Sequence, residues 1–174
     1  MKYFTKEMWR GWNSRDEAER QRAREQSDRN WQDYLQQLEK LQSRLGQEAY
    51  EFFKTAERHD GRLISFTVGD AIDHNIHGQT EFDINSRDTN VEIKLLSPYL
   101  NTLYTLNYSG VRKVVFDYPS DDPLFHYDGS NISDWGYDEV TAADEKFLRH
   151  EVLFSSGTTI LIQFTNFSFK QESC

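Results

Sequence analysis

Arg58-His59-Asp60-Gly61-Arg62-Leu63-Ile64-Ser65-Phe66-Thr67-Val68 is the stretch in which the period of this sequence changes. Before it, Trp31, Tyr34, Leu35, Leu38, Leu41 and Leu45 recur at helical spacing and make one apolar stripe. After Asp60-Gly61, Ile64, Phe66 and Val68 alternate with Leu63, Ser65 and Thr67, the period of a strand with one buried face. A helical part over residues 1–58 therefore precedes a β part over residues 59–174. At 174 residues, one domain is the expectation. The fold class read from this is α+β, with charged N-terminal helices packed on an antiparallel meander sheet of about six strands.

Upstream, Ser14-Arg15-Asp16-Glu17 has the form of a capping box and places a helix start at Ser14. The next stretch, to Asn30, has only Ala18 and Ala23 as apolar residues, which predicts a solvated helix held by charge pairs. Ahead of it, Phe4, Met8, Trp9 and Trp12 form a short aromatic helix expected to dock on the chain's own β half. Gly46 predicts a kink or short break before Tyr50, Phe52, Phe53 and Ala56.

Downstream, Phe82 with Ile84 and then Val91, Ile93 and Leu95 read as strands joined by a hairpin loop over Ser86–Asn90. Leu103 to Tyr118 reads as one long strand bent at Ser109-Gly110, or as two. Pro119 to Asp134 is a polar surface loop, and Trp135–Ala142, Leu148–Phe154 and Thr159–Phe169 complete a meander.

The net charge of −9 is unevenly placed. Residues 1–58 carry 12 Lys/Arg against 11 Asp/Glu, whereas residues 59–174 carry 8 against 18. Such an acidic field repels phosphate backbones, which disfavours nucleic acid even with Arg20, Arg22 and Arg24 in one stretch, and it favours a basic protein partner. No run of about 18 apolar residues and no signal-peptide core occurs, so the expectation is a cytoplasmic chain with no membrane partner. Cys174, the single cysteine, is placed for neither a disulfide nor catalysis.

The candidate partner surface is an acidic, aromatic loop: Asp121, Asp122 and Asp128 with Phe125, Tyr127, Trp135 and Tyr137. Carboxylates beside aromatics supply both steering and burial for a basic partner. The alternative is a metal-assisted hydrolase in which His74 and His77, three residues apart among Asp73, Glu81 and Asp83, hold an ion that activates water. A polar hairpin accounts for the same spacing.

His59-Asp60 reads as a helix-to-strand junction device, and His150-Glu151 as ordinary positions of a strand. Asp128 to Asp134 lacks the ligands of a calcium loop, because Ile132 falls at an oxygen position. No phosphate loop or nucleophile elbow is present, so no cofactor is expected and a non-enzymatic binding domain is the leading reading.

The segments Met1–Glu7, His59-Asp60-Gly61-Arg62, Trp135–Val140 and Glu151–Ser155 together resemble an uncharacterised bacterial family, domain of unknown function 4085. That resemblance implies a bacterial cytoplasmic protein and transfers no catalytic residue. The layout of helices followed by an acidic meander is also similar to small immunity proteins that neutralise bacterial toxins, a likeness of architecture that implies a binding function.

Overall fold

Tyr34 and Leu38 place one face of a long helix in the core, and a sheet of eight strands among the described residues, not about six, receives it. The computed structural model describes residues 1–70, 88–118, 132 and 134–174. Within them the chain runs α1 (Lys6–Trp12), α2 (Glu17–Lys40), α3 (Gln42–Leu45) and α4 (Gln47–Thr55). Then follow β1 (Gly61–Asp70), β2 (Thr89–Leu96), β3 (Thr102–Ser109), β4 (Lys113–Asp117), β5 (Asp134–Ala142), β6 (Leu148–Phe154), β7 (Thr159–Phe164) and β8 (Asn166–Ser173). Phe82 and Ile84, read as a strand, lie outside the described residues.

The start of α2 differs from the capping box read at Ser14. Asp16 is the N-cap, and its side chain accepts from the Glu19 amide. Ser14 stands just outside, its hydroxyl accepting from the Asp16 amide and donating to Glu19. Asp and Ser both serve at this position, so the carboxylate two residues nearer the apolar stripe displaces the earlier hydroxyl. The charged segment before Trp31 is not wholly solvated either. Ala23 is buried against Gly11 of α1, where an added Cβ would meet the Ala23 Cβ at 2.8 Å. Gly46, at φ 79°, makes the expected break between α3 and α4, a backbone conformation that other residues adopt at a steric cost.

The sheet order is β4-β7-β6-β5-β1-β2-β3-β8, every pairing antiparallel. Two of its features explain the strand count. The long segment from Leu103 bends after Ser109 into β3 and β4, and the last predicted strand divides at Thr165 into β7 and β8. β3 pairs with β8 and β4 with β7, so the same two bent ribbons form both ends of the sheet. In the middle, β1 meets β5 only through Gly61–Trp135 and Arg62–Asp134, a narrow joint between the two halves.

One hydrophobic cluster spans helices and sheet, with Tyr34, Leu38, Phe52 and Phe53 set against Val91, Ile93, Leu106, Trp135, Val152 and Phe164. The aromatic helix α1 docks on its own β half as expected: Trp9 meets Tyr137 edge-on at 5.4 Å, and Phe4 just ahead of it stacks on the same ring at 5.4 Å.

Candidate functional site

Gly61 is the residue that turns α4 back into the sheet. An added Cβ there would lie 2.8 Å from both the Arg58 and Leu96 carbonyl oxygens, so no other residue fits without displacing backbone. The turn it closes, with the Gly61 amide donating to the Arg58 carbonyl at 2.9 Å, carries Arg58, His59 and Asp60. Asp60 adopts φ 62°, a left-handed conformation that Asp tolerates better than most. His59 and Asp60 do point at one another, with Nδ1 and Oδ1 3.1 Å apart, both exposed at the surface.

Arg58 turns inward from the same turn. Its guanidinium donates from Nη1 to the Phe52 carbonyl at 2.7 Å and from Nη2 to the Phe53 carbonyl at 3.3 Å, satisfying the free end of α4. It also grips Asp138 of β5 with two parallel bonds, Nε to Oδ1 and Nη2 to Oδ2, each 3.0 Å. Asp138 accepts two more: Trp135 Nε1 at 2.9 Å and His150 Nε2 at 3.2 Å. The far side of the His150 ring meets the Tyr108 hydroxyl at 2.7 Å. A carboxylate only accepts, so a neutral His150 carries its proton on Nε2 and takes the Tyr108 O–H at Nδ1.

Burial alone would push the Asp138 carboxyl up, but the Arg58 charge and the His150 contacts overcome it and hold the group well below the usual carboxylate range. For Arg58, burial opposes the charge and Asp138 outweighs it, so the guanidinium stays protonated. Tyr108 and Tyr34 are both raised, first by burial and then by the Asp138 charge.

These contacts correct one sequence reading and place two further acids. His150, taken as an ordinary strand position, lies at the centre of a buried polar chain, because β6 places it directly beside β5. Asp138 and Glu139, two carboxylates of the acidic β half, are both turned inward. Glu139 is fully buried, and its carboxylate accepts from the Lys2, Tyr3 and Phe4 amides, with Tyr3 at 2.8 Å and Phe4 at 3.2 Å. The Met1 amino group meets Glu151 at 2.9 Å, and Asn30 of α2 donates to the Tyr3 carbonyl at 2.7 Å. Residues 1–4 are thus tied to β5, β6 and α2 together.

The outer face of this arrangement is a groove of about 560 Å³ between α2, the α4–β1 turn, the β2–β3 turn and β5. Arg58 and Asp138 form part of its floor, and both are internally satisfied. Trp31 and Tyr99 line it, 40% and 71% exposed, together with Tyr137. Asp28, Glu57 and Asp60, all exposed, stand around it. Burial, and then the negative charge of Asp60, raise the Tyr137 hydroxyl. His150 and Tyr108 do not reach the groove, and Asp138 spends all its acceptor capacity within the fold. The buried chain therefore locks the floor rather than handing a proton to anything outside it.

Of the loop aromatics read as partner contacts, Tyr137 lies in the groove. Trp135 is fully buried in the core, which removes its ring from any surface contact. Asp121, Asp122, Phe125, Tyr127 and Asp128 lie outside the described residues, as do His74 and His77. Among the described residues no cluster of three or more His, Cys, Asp or Glu side chains could hold a metal ion, and no helix is long and apolar enough to cross a membrane. Sequence reasoning missed Asp28, Trp31, Glu57 and Tyr99 as groove residues. The one available signal was the turn dipeptide Pro98-Tyr99, which presents an aromatic ring at a surface turn.

Compared with models of protein families, with curated proteins and with solved structures, the chain matches none of them.

Proposed function

We propose that this chain is a non-enzymatic protein-binding domain of a bacterial cytoplasm, immunity-like in its role, which receives a basic partner at the groove. The observation that carries the reading is the composition of the groove: aromatic rings from separate elements, three carboxylates around them, and a floor whose only guanidinium is already neutralised by Asp138. The acidic excess of residues 59–174 adds a field of the same sign, which speeds encounter with a positive partner. Aromatic rings then bury area at low entropic cost and lengthen the life of the complex. The acidic stretch of Asp121, Asp122 and Asp128 with Phe125 and Tyr127 adds charge and rings of the same kind to the binding chemistry.

The test is comparative affinity capture from a bacterial lysate at low and high salt. The wild-type chain is set beside the variant Asp28→Asn/Glu57→Gln/Asp60→Asn, with a second variant neutralising Asp121, Asp122 and Asp128. The expected result is a Lys/Arg-rich protein retained by the wild type at low salt, released by salt and lost from the groove variant. Equal recovery of the same proteins by all three chains at both salt concentrations overturns the proposal.

A further inference from the structure

The groove is suited to one kind of cation more than another. Its exposed rings are Tyr99 on the β2–β3 turn and Trp31 on α2, the latter packed in part against Phe4 and Tyr34, and they stand on different elements. Its carboxylates are likewise spread, with Asp28 on α2 and Glu57 and Asp60 on the α4–β1 turn. A lysine ammonium is a compact, strongly hydrated point charge that one carboxylate satisfies. A guanidinium is planar, more weakly hydrated, lies flat on an aromatic face and offers five donors in different directions. The chain sets both kinds of cation over its own rings, and among the described residues the shortest such contacts are guanidinium ones: Arg112 lies over Phe147 at 4.0 Å and Arg58 over Phe52 at 4.8 Å, against Lys2 over Tyr3 at 4.9 Å and Lys54 over Tyr50 at 5.3 Å.

We infer that the groove seats an arginine side chain of the basic partner, its guanidinium flat against Tyr99, the more exposed ring, and its edge donating to the carboxylates of Asp28, Glu57 and Asp60 around it. The inference rests on the function proposed above and adds the identity of the side chain that is read. A lysine in the same place keeps the charge attraction and loses the stacking and the second carboxylate.

The experiment titrates acetyl-triarginine amide and acetyl-trilysine amide into the full chain at low salt, following the indole and amide signals of Trp31 and Tyr99 by NMR. Triarginine is expected to bind about tenfold more tightly than trilysine, the difference that stacking supplies, with shifts confined to the groove. Tyr99→Ala changes an exposed turn residue outside the core and is expected to remove most of that preference, whereas Asp28→Asn/Glu57→Gln/Asp60→Asn weakens both peptides. Equal affinities for the two peptides, both lost in the carboxylate variant, overturn the arginine assignment and leave the acidic groove in place. Triarginine binding that survives the carboxylate variant and Tyr99→Ala puts the cation elsewhere and overturns both. Failure of triarginine to bind overturns the inference, while salt-sensitive capture of a basic protein by the groove still separates that outcome from failure of the proposed function.

Discussion

Asp138 with Glu139, and Glu57 with Asp60, are two sets of carboxylates with opposite fates. Asp138 receives four donors from Arg58, Trp135 and His150, and Glu139 three backbone amides, so their charge is spent inside the fold. Glu57 and Asp60 stand exposed at the rim of the groove, where Asp60 meets the exposed ring of His59. A carboxylate met by several fixed donors is part of the architecture. A carboxylate left at the surface beside exposed aromatics is open to another molecule. The same residue types thus hold the groove floor rigid from below and give its mouth its charge from above, and substitution at the two levels should have different consequences.

The sharpest way to break that contrast is Asp138→Asn. Removing one member of a buried, hydrogen-bonded ion pair strands the other, which costs about 3–5 kcal/mol. Urea unfolding of the variant should show a loss of this size. A loss under about 1 kcal/mol would mean that the Arg58–Asp138 bridge contributes little to holding α4 on β5.

Acid titration probes the same pair without mutation. The folded Asp138 carboxyl lies below its unfolded value of about 3.9. Its contribution is therefore present in full above that value and lost as the pH falls beneath it toward the folded one. Unfolding free energy of the wild type should decline between about pH 5 and pH 2, with a share on the order of 2 kcal/mol from this group. The decline should be shallower by that share in Asp138→Asn. Parallel curves would assign the acid limb to other carboxylates.

Glu139→Gln tests the second inward carboxylate. The amide keeps the shape but loses the charge that three backbone N–H groups share, and such charged bonds contribute about 1.5–3 kcal/mol. Hydrogen exchange at Lys2, Tyr3 and Phe4 should quicken while the centre of the sheet stays protected. Because Phe4 stacks on Tyr137, loosening residues 1–4 should also reshape the groove. Unchanged exchange at these three amides would show that Asn30 and Glu151 suffice to hold the segment.

Periodicity made most helices and strands legible: the break at Gly46, the strand after Gly61 and the ribbon from Leu103 lie where spacing places them, whereas the stripe read from Trp31 to Leu45 spans two helices divided at Leu41, with Trp31 exposed at its head. The strand number was only half legible: Ser109-Gly110 marked a bend or a second strand, whereas the division at Thr165 interrupts the apolar alternation with neither Gly nor Pro to signal it. The groove was less legible still. Trp31, Arg58, Tyr99 and Tyr137 come from four separated segments, and only the narrow β1–β5 joint brings Arg58 to Asp138. Burial misled the reading of Trp135: an aromatic beside acids looks like a surface contact until its indole N–H is found to bond one of those acids inside the core.

The smallest effect on the fold belongs to the rim, and that is what makes it diagnostic. Asp28→Asn, Glu57→Gln and Asp60→Asn each alter an exposed side chain, and substitutions of that kind fall within about 0.5 kcal/mol of neutral. The Asp60 side chain meets the exposed His59 ring, and Asn keeps an acceptor there as well as a tolerance for φ 62°. The triple variant should therefore melt within a few degrees of the wild type while its association with a basic partner slows and loses salt dependence, because steering acts on the encounter and screening acts on exposed charge. Measured together, thermal unfolding and association rate separate the two sets of carboxylates. If the rim variant instead unfolds as easily as Asp138→Asn, these groups belong to the fold after all, and the distinction between inward and outward acids is lost.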